Sequence, residues 1–294
     1  MNAWFRIALI GMLLAAGLAG CAPAAQPAPT QPPAAAPTQP PAAAPTQPPA
    51  AGRVLKVGLN SENVPWEFMR DGKLVGFEVD MLEELAKRMG VELEYTTVAF
   101  AGIFTGLQSE KWDLASSSIW ITEARLKEMD FADPYYDSDI AMVGRKDGVV
   151  KSFADMKGKV FGADTGSMND QWLKDNQPKH GPYEVKNYDS PTDAFLDLQA
   201  GRLDGVVADA PTGLYYVQQN VDAGLDVPFL MNVGFPQAWA FRKGDRLRDE
   251  VNGVLNEMKA DGTLAGVYKK WFGQDPPPDS STVKVYEGGF VLGK

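Results

Sequence analysis

Three serines, a tryptophan and an arginine stand close together in the stretch Ser116–Ser117–Ser118–Ile119–Trp120–Ile121–Thr122–Glu123–Ala124–Arg125. The hydroxyls can donate or accept, the indole adds an apolar face with one donor, and Arg125 offers a planar fork of donors suited to a carboxylate. Trp112–Asp113–Leu114–Ala115 reads as a turn feeding a short strand, and Glu123–Met129 as a helix with Thr122 as its N-cap. The candidate groups therefore gather where a strand ends and a helix begins, the place where open α/β sheets bind ligands. The bland reading makes Arg125 a surface residue of a first helical turn, where the helix dipole mildly disfavours a cation. On position alone the two readings stand level.

Composition narrows the chemistry. The chain has 38 acidic and 28 basic residues, a net charge of -10, and no basic cluster, which argues against a nucleic-acid partner. It has one Cys, so no intrachain disulfide can form, and one His. His180 lies near Pro178, Gly181 and Pro182 and reads as a loop residue; with no second His or Cys to join it, no zinc site is expected. No catalytic group, cofactor or metal is expected. An apolar fraction of 45% permits a packed core, and residues 53–294 suit one large or two small domains.

Residues 1–20 read as a targeting segment. Arg6 supplies the positive start, and Ile7–Leu18 is an apolar run too short to span a membrane comfortably. Leu18–Ala19–Gly20–Cys21 then resembles the bacterial lipoprotein signal, and Cys21 is the chain's only cysteine. That resemblance implies cleavage before Cys21, lipidation of Cys21 and anchoring through buried acyl chains. An ordinary secretory signal with a coincidental Cys is the weaker reading. Residues 21–52 are a Pro/Ala-rich linker in which the octamer Ala-Pro-Thr-Gln-Pro-Pro-Ala-Ala occurs at Ala28–Ala35, Ala36–Ala43 and Ala44–Ala51. Such proline density blocks helix and sheet and favours extended polyproline II, at about 3.1 Å per residue. With no charge and no large apolar side chain, the segment reads as a spacer.

Beyond residue 53 the pattern alternates strand and helix. Val54–Leu59 reads as a strand, Asn60–Asp71 as a loop and Asp71–Gly72 as a turn. Phe77–Met89 has apolar residues at helical spacing and Gly90 as a stop, followed by a strand at Val91–Thr97 and a helix at Ile103–Ser109. Phe131–Tyr136 reads as an aromatic loop, Ile140–Val143 as a strand, and residues 143–149 as a crossover. A second series follows: strand Val160–Ala163, helix Met168–Lys174, strand Glu184–Tyr188, helix to Gln199 capped by Ser190 with Pro191 first, strand Val206–Asp209 and helix Pro211–Asn220. The chain recrosses near Phe235–Trp239. Strand Gln237–Arg242, helices Leu247–Met258 and Leu264–Phe272, and a surface tail close it. Two α/β lobes joined by two strands make a hinged cleft. The expected organisation is 53–142 with 237–294 as lobe one and 143–236 as lobe two.

These residues resemble the family 3 solute-binding proteins, which capture polar amino acids for ABC importers. The motifs are VGLNSENVPWEF (57–68), GKLVGFEVDML (72–82), LASSSIWITEAR (114–125), FADPYY (131–136), GADTGSM (162–168), AGRLDGVVAD (200–209) and DGTLAGVYKKWFG (261–273). The resemblance implies a two-lobed periplasmic-binding-protein fold of type II-like topology. It implies an extracytoplasmic, lipid-anchored monomer that binds an amino acid and partners an ABC transporter permease. It also implies roles: Arg125 grips the ligand's α-carboxylate, Asp209 takes its α-ammonium, and Ser118, beside Ser117, meets both ends. Ser167 and Met168 present backbone N–H groups at a helix start. The remaining expected ligand-binding residues are Asn60, Asn63, Trp66, Phe100 and Trp120. Asn63 stands where many relatives place a stacking aromatic. Asn60 stands where relatives that bind cationic amino acids place an Asp, and Trp120 replaces a small hydroxyl residue. Losing that acid favours a neutral amino acid, although Glu62 is nearby. Trp66 is divided between a pocket role and core packing.

The competing class is an enzyme on the same scaffold, resembling cyclohexadienyl dehydratase, which would use a cleft carboxylate as general acid on prephenate. Asp209 opposite Arg125 suits a zwitterion better. A receptor's ligand-binding domain is a third class, disfavoured because no further membrane-spanning run follows residue 52.

The leader and linker generate one test. Cys21→Ala should release the protein from membranes in a carbonate wash and leave its ligand affinity unchanged; a variant that stays in the membrane fraction removes the lipid anchor.

Overall fold

The structure, a computed structural model, describes residues 52–293; the leader, Cys21 and all but the last residue of the linker lie outside the described residues. The first lobe begins with strand β1 (Val54–Leu59), whose Leu55, Val57 and Leu59 are buried. The region expected to be a loop at 60–71 instead holds β2 (Glu62–Asn63) and β3 (Glu67–Arg70), which form a small antiparallel sheet with β4 (Lys73–Val75) through the Asp71–Gly72 turn. These strands are too short for alternation to register.

Helix α1 (Phe77–Met89) lays Phe77, Met81, Leu82 and Leu85 into the core and ends at left-handed Gly90, whose N–H reaches Ala86 O. Strand β5 (Glu92–Thr97), helix α2 (Phe100–Gln108), strand β6 (Leu114–Ala115), helix α3 (Glu123–Glu128) and strand β7 (Met129–Phe131) follow. The Thr122 hydroxyl accepts from Arg125 N at 3.1 Å, so α3 starts where the cap residue predicts.

Strand β8 (Tyr136–Arg145) then opens the second lobe. A 3-10 turn at Phe153–Met156 leads to β9 (Val160–Asp164), α4 (Met168–His180), β10 (Glu184–Tyr188), α5 (Pro191–Gln199), β11 (Gly205–Asp209) and α6 (Ala210–Gln219). Helix α4 runs past its expected end at Lys174, through Pro178 to His180, so His180 is helical rather than in a loop. Its ring stacks on Phe153 at 4.7 Å. Strand β12 (Leu225–Gln237) was not evident from pattern; it holds Pro228 and Pro236, is broken by two register shifts, and lies at the sheet's edge, where proline is tolerated. The chain returns through β13 (Ala240–Arg242), α7 (Leu247–Ala260) and α8 (Thr263–Phe272).

Two five-stranded sheets result, ordered β5-β1-β6-β13-β7 and β10-β9-β11-β8-β12. The expected crossover at 143–149 and the lobe break at 142/143 are corrected by this order. From Tyr136 on, β8 pairs with β11 or β12 except at Asp139, which lies at a register shift, so the chain leaves the first sheet at 132–135. It returns at 238–239, and the two crossings are tied by Ala132 N to Trp239 O at 3.1 Å and Tyr135 N to Gln237 O at 3.0 Å.

Trp112 illustrates how closely the first lobe is packed. It is 2% exposed, donates to Ile103 O at 3.1 Å, and lies so near Gly58 and Gly106 that an added Cβ would meet its ring at 2.3 and 1.9 Å. Gly106→Ala should therefore lower stability in urea by about 1–3 kcal/mol. Gly253→Ala, in open space on α7, should raise it by about 0.5–1 kcal/mol. Equal effects at both positions would contradict this packing.

Candidate functional site

The C-terminal ends of four parallel-paired strands face one cavity: Asn60 after β1, Ser117 and Ser118 after β6, Asp164 ending β9 and Asp209 ending β11. The start of α4 adds Ser167, Met168 and Asn169, and the start of α2 adds Phe100. Arg125 comes in from α3.

Arg125 is half-buried. One terminal nitrogen donates to Trp120 O at 2.9 Å and the other reaches Gly166 O at 3.4 Å. Its guanidinium carbon lies 4.9 Å from the Phe104 ring centre and 5.7 Å from that of Phe100, so two aromatic faces carry the charge. Loss of water draws its pKa down to about 10, with Asp164 and Asp209 pulling the other way; the group remains a cation at neutral pH.

Asp209 is 7% exposed and accepts three neutral donors: Asn169 Nδ2 at 3.1 Å on one oxygen, and Gln237 Nε2 at 2.7 Å and Trp120 Nε1 at 3.2 Å on the other. Burial pushes its pKa up to about 7, and the Asp164 charge adds to that rise. Asp164, also 7% exposed, is pushed up by burial to about 6, with the Ser167 and Asn169 side chains moderating the rise. Among the described residues neither acid nor Arg125 forms an ion pair within 4 Å.

Two further buried acids stand behind the serines. Glu78, on α1, accepts from Ser118 N at 2.6 Å, Tyr135 Oη at 2.7 Å and the Ser116 hydroxyl. Glu67, on β3, accepts from Ser117 Oγ at 2.5 Å and Asn63 Nδ2 at 3.2 Å, while its second oxygen has no partner among the described residues. Burial raises both carboxyls above the ordinary range, Glu67 well above it. Asn63 also donates to Ser118 Oγ at 3.0 Å, which holds Ser118 in its left-handed conformation, φ 45°.

Ten of the eleven residues expected at the site line this cavity. Trp66 does not: it is fully buried in the first-lobe core, edge-on to Phe77 and Tyr136. Its indole donates to Thr212 Oγ1 at 3.0 Å across the lobes, one layer behind the cavity. Trp120 stacks on Phe235 at 4.9 Å and joins the second-lobe core. Asn60 donates to Asp189 O at 3.1 Å and accepts from Glu62 N at 2.9 Å; Glu62 itself is exposed and outside the cavity. Sequence reasoning missed Asp164, Asn169, Pro191 and Thr212 as lining residues. An acid directly after the strand expected at Val160–Ala163 was the signal available for Asp164, which the structure makes the last residue of β9.

Comparison with known proteins follows the same outline. The family model of bacterial extracellular solute-binding proteins, family 3, matches residues 55–274. The L-cystine-binding protein TcyJ of Escherichia coli K12 is 34% identical over 225 residues, covering 75% of this chain and 83% of the relative. The ABC transporter arginine-binding protein 1 of the same strain is 31% identical over 230 residues, covering 75% and 91%. Among solved structures, an ancestral arginine-binding protein bound to arginine superposes with a TM-score of 0.72 at 40% identity, covering 75% of this chain and 98% of that one. An ancestral amino-acid-binding protein described as a precursor of cyclohexadienyl dehydratase gives a TM-score of 0.68 at 32% identity, covering 74% and 95%.

The raised carboxyls set a direction for stability against pH. Between the ordinary value of 3.8 and the folded values near 6 and 7, the native state holds more protons at Asp164 and Asp209 than the unfolded chain does. Their contribution is thus fully present at and below about pH 4 and is lost as pH rises through 7. Glu67 and Glu78 act in the same direction. Thermal melts without ligand should show a smaller fall from pH 5 to pH 8 for Asp209→Asn than for the wild type. An equal or steeper fall in the variant would show that Asp209 titrates normally.

Proposed function

The chain belongs to the bacterial extracellular solute-binding proteins, family 3, and from that premise we propose that it captures a free amino acid between its two lobes and delivers it to an ABC importer. One observation carries this reading: a guanidinium from the first lobe and a carboxylate from the second, neither in an ion pair among the described residues, line a single cavity. A zwitterion complements that pair. Its α-carboxylate meets Arg125 and the N–H groups at the start of α4, where the helix dipole favours an anion. Its α-ammonium meets Asp209. The ligand bridges the lobes, so closure is favoured by the interactions it makes only when the cleft is shut.

Family membership sets the work outside the cytoplasm. The Cys21 lipid anchor, the spacer role of residues 21–52 and a monomeric state extend this reading from the sequence. A second reading, a dehydratase-like enzyme, draws on the Asp209 carboxyl near 7, a value suited to a general acid at neutral pH. Prephenate turnover by the purified protein would favour it. Three neutral donors already hold Asp209, which suits a fixed counter-charge better.

Truncating one partner of a desolvated charged pair costs about 2–5 kcal/mol. Arg125→Ala and Asp209→Ala should each weaken amino-acid binding by roughly two or more orders of magnitude while circular dichroism reports an unchanged fold. The double variant should lose less than the sum, because either loss already weakens closure. Wild-type affinity in either single variant, for every amino acid that binds, would sink the clamp.

A further inference from the structure

The charges facing the cavity do not balance around a neutral zwitterion. Such a ligand pairs its carboxylate with Arg125 and its ammonium with Asp209, and Asp164 is left over. Asp164 is 7% exposed and sits at the end of β9, beside the end of β11 that carries Asp209. Its side-chain neighbours Ser167 and Asn169 are neutral. Asn169 is 4% exposed; its Nδ2 serves Asp209, and its Oδ1 has no partner among the described residues. Among the described residues this corner therefore holds a carboxylate with no ion-pair partner within 4 Å and a buried amide oxygen with no donor. An uncompensated buried charge must take a proton or a cation, and an orphaned acceptor needs an N–H. A guanidinium or ammonium group on the ligand's side chain supplies both.

Building on the amino-acid reading above, we propose that Asp164 is a specificity-determining residue that seats a cationic side chain, so that the protein favours dibasic over neutral amino acids. This reverses the expectation drawn from Asn60. Position 60 carries no acid, its amide is engaged with Asp189 and Glu62, and Glu62 points to solvent. The acid for the side chain comes from the opposite lobe instead. A neutral ligand of similar length, such as glutamine, closes the cavity with Asp164 unpaired and loses affinity accordingly.

Calorimetric titration of the full-length protein with L-arginine, L-lysine and L-glutamine tests this. In the wild type, arginine or lysine should bind roughly 10- to 100-fold more tightly than glutamine, the range of one charge-assisted hydrogen bond. Asp164→Asn, close in shape, should erase most of that gap by weakening the cationic ligands and leaving glutamine unchanged or tighter. Glutamine binding as tightly as arginine in the wild type overturns the inference without recourse to any variant. Equal weakening of all three ligands by Asp164→Asn also overturns it, since Asp164 would then serve the shared α-ammonium. Should none of the twenty amino acids bind the folded wild type, the amino-acid reading itself falls and takes this inference with it; Asp164 alone failing leaves that reading intact.

Discussion

A fully buried carboxyl on α1, Glu78, organises the first wall of the cavity. Its oxygens accept from the Ser116 hydroxyl, the Ser118 N–H and the Tyr135 hydroxyl. Those donors come from the loop after β6 and from the first crossing between the sheets. An isolated carboxylate in such a place would be costly, and hydrogen bonds to it offset the loss of water. The arrangement also accounts for Ser118, which is neither glycine nor asparagine yet sits at φ 45°. Its N–H is fixed by Glu78 and its hydroxyl by Asn63, so the surroundings over-determine a conformation that costs of order 1–3 kcal/mol. Through Ser118 the loop holds Trp120, and through the Trp120 carbonyl it holds the Arg125 guanidinium. One desolvated acid in the helix core thus sets the geometry of a cation in the cavity.

The second wall depends on the opposite economy of charge. Asp164 and Asp209 are held only by neutral donors, and burial leaves both reluctant to ionise. Arg125 is likewise weakened as a cation by its surroundings. Each group would be more stable in its charged form with an opposite charge beside it. The protein keeps them apart across the cavity, and an occupant bearing both signs would stabilise both walls. Contacts already span the lobes around that space, among them Thr192 Oγ1 to Glu62 O at 2.8 Å, Arg70 to Tyr215 Oη at 2.7 Å and Trp66 to Thr212. These bonds are neutral or peripheral, so discrimination between occupants falls to the charged groups in the centre.

Much of this was legible where local chemistry and global fold agree. Helix α1 begins and ends where its periodicity and Gly90 place it. Helix α5 begins after Ser190 with Pro191 first, and Thr122 caps α3 in the predicted place. The site motif around Ser116–Arg125 was readable because a cap and a strand end bracket it. The missed parts lack such marks. Strand β12 breaks period two with prolines and bulges. The early start of β8 falls at Tyr136, within the aromatic Tyr135–Tyr136 pair, which reads as loop packing until the partner strands are known. Trp66 could not be divided between core and cavity from sequence, because both environments accept an indole whose N–H finds a partner. Asp164 was overlooked for a related reason: a strand-end acid declares itself only when the neighbouring strand brings Asp209 beside it.

The crossing at 132–135 has a constraint of its own, and it bears on how the lobes can move. Lys259 is buried on α7, with its pKa drawn to about 8 by burial against the pull of Asp133 and Asp137. Its ammonium donates to Pro134 O at 2.7 Å and Lys284 O at 3.1 Å, bonding the crossing to the tail. The tail adds Thr282 Oγ1 to Tyr135 O at 2.9 Å, Ser281 to Asp137, and Phe290 N to Asp133 at 2.7 Å. Asn252 and Asn256 of α7 hold the same Asp133 carboxylate. Residues 133–137 are therefore tied to the first lobe by side chains that a lobe rotation would have to break or carry along. The return crossing at 238–239 is bonded to Ile119 and to Ala132 instead. Bending at the first crossing is cheapest beyond the last of these ties, at Ser138, which pairs with Phe235 of β12. A pivot at that point leaves the Glu78–Ser118 hydrogen bonds in place, while the Arg125–Gly166 and Trp120–Asp209 bonds must break as the wall bearing Asp164 and Asp209 swings.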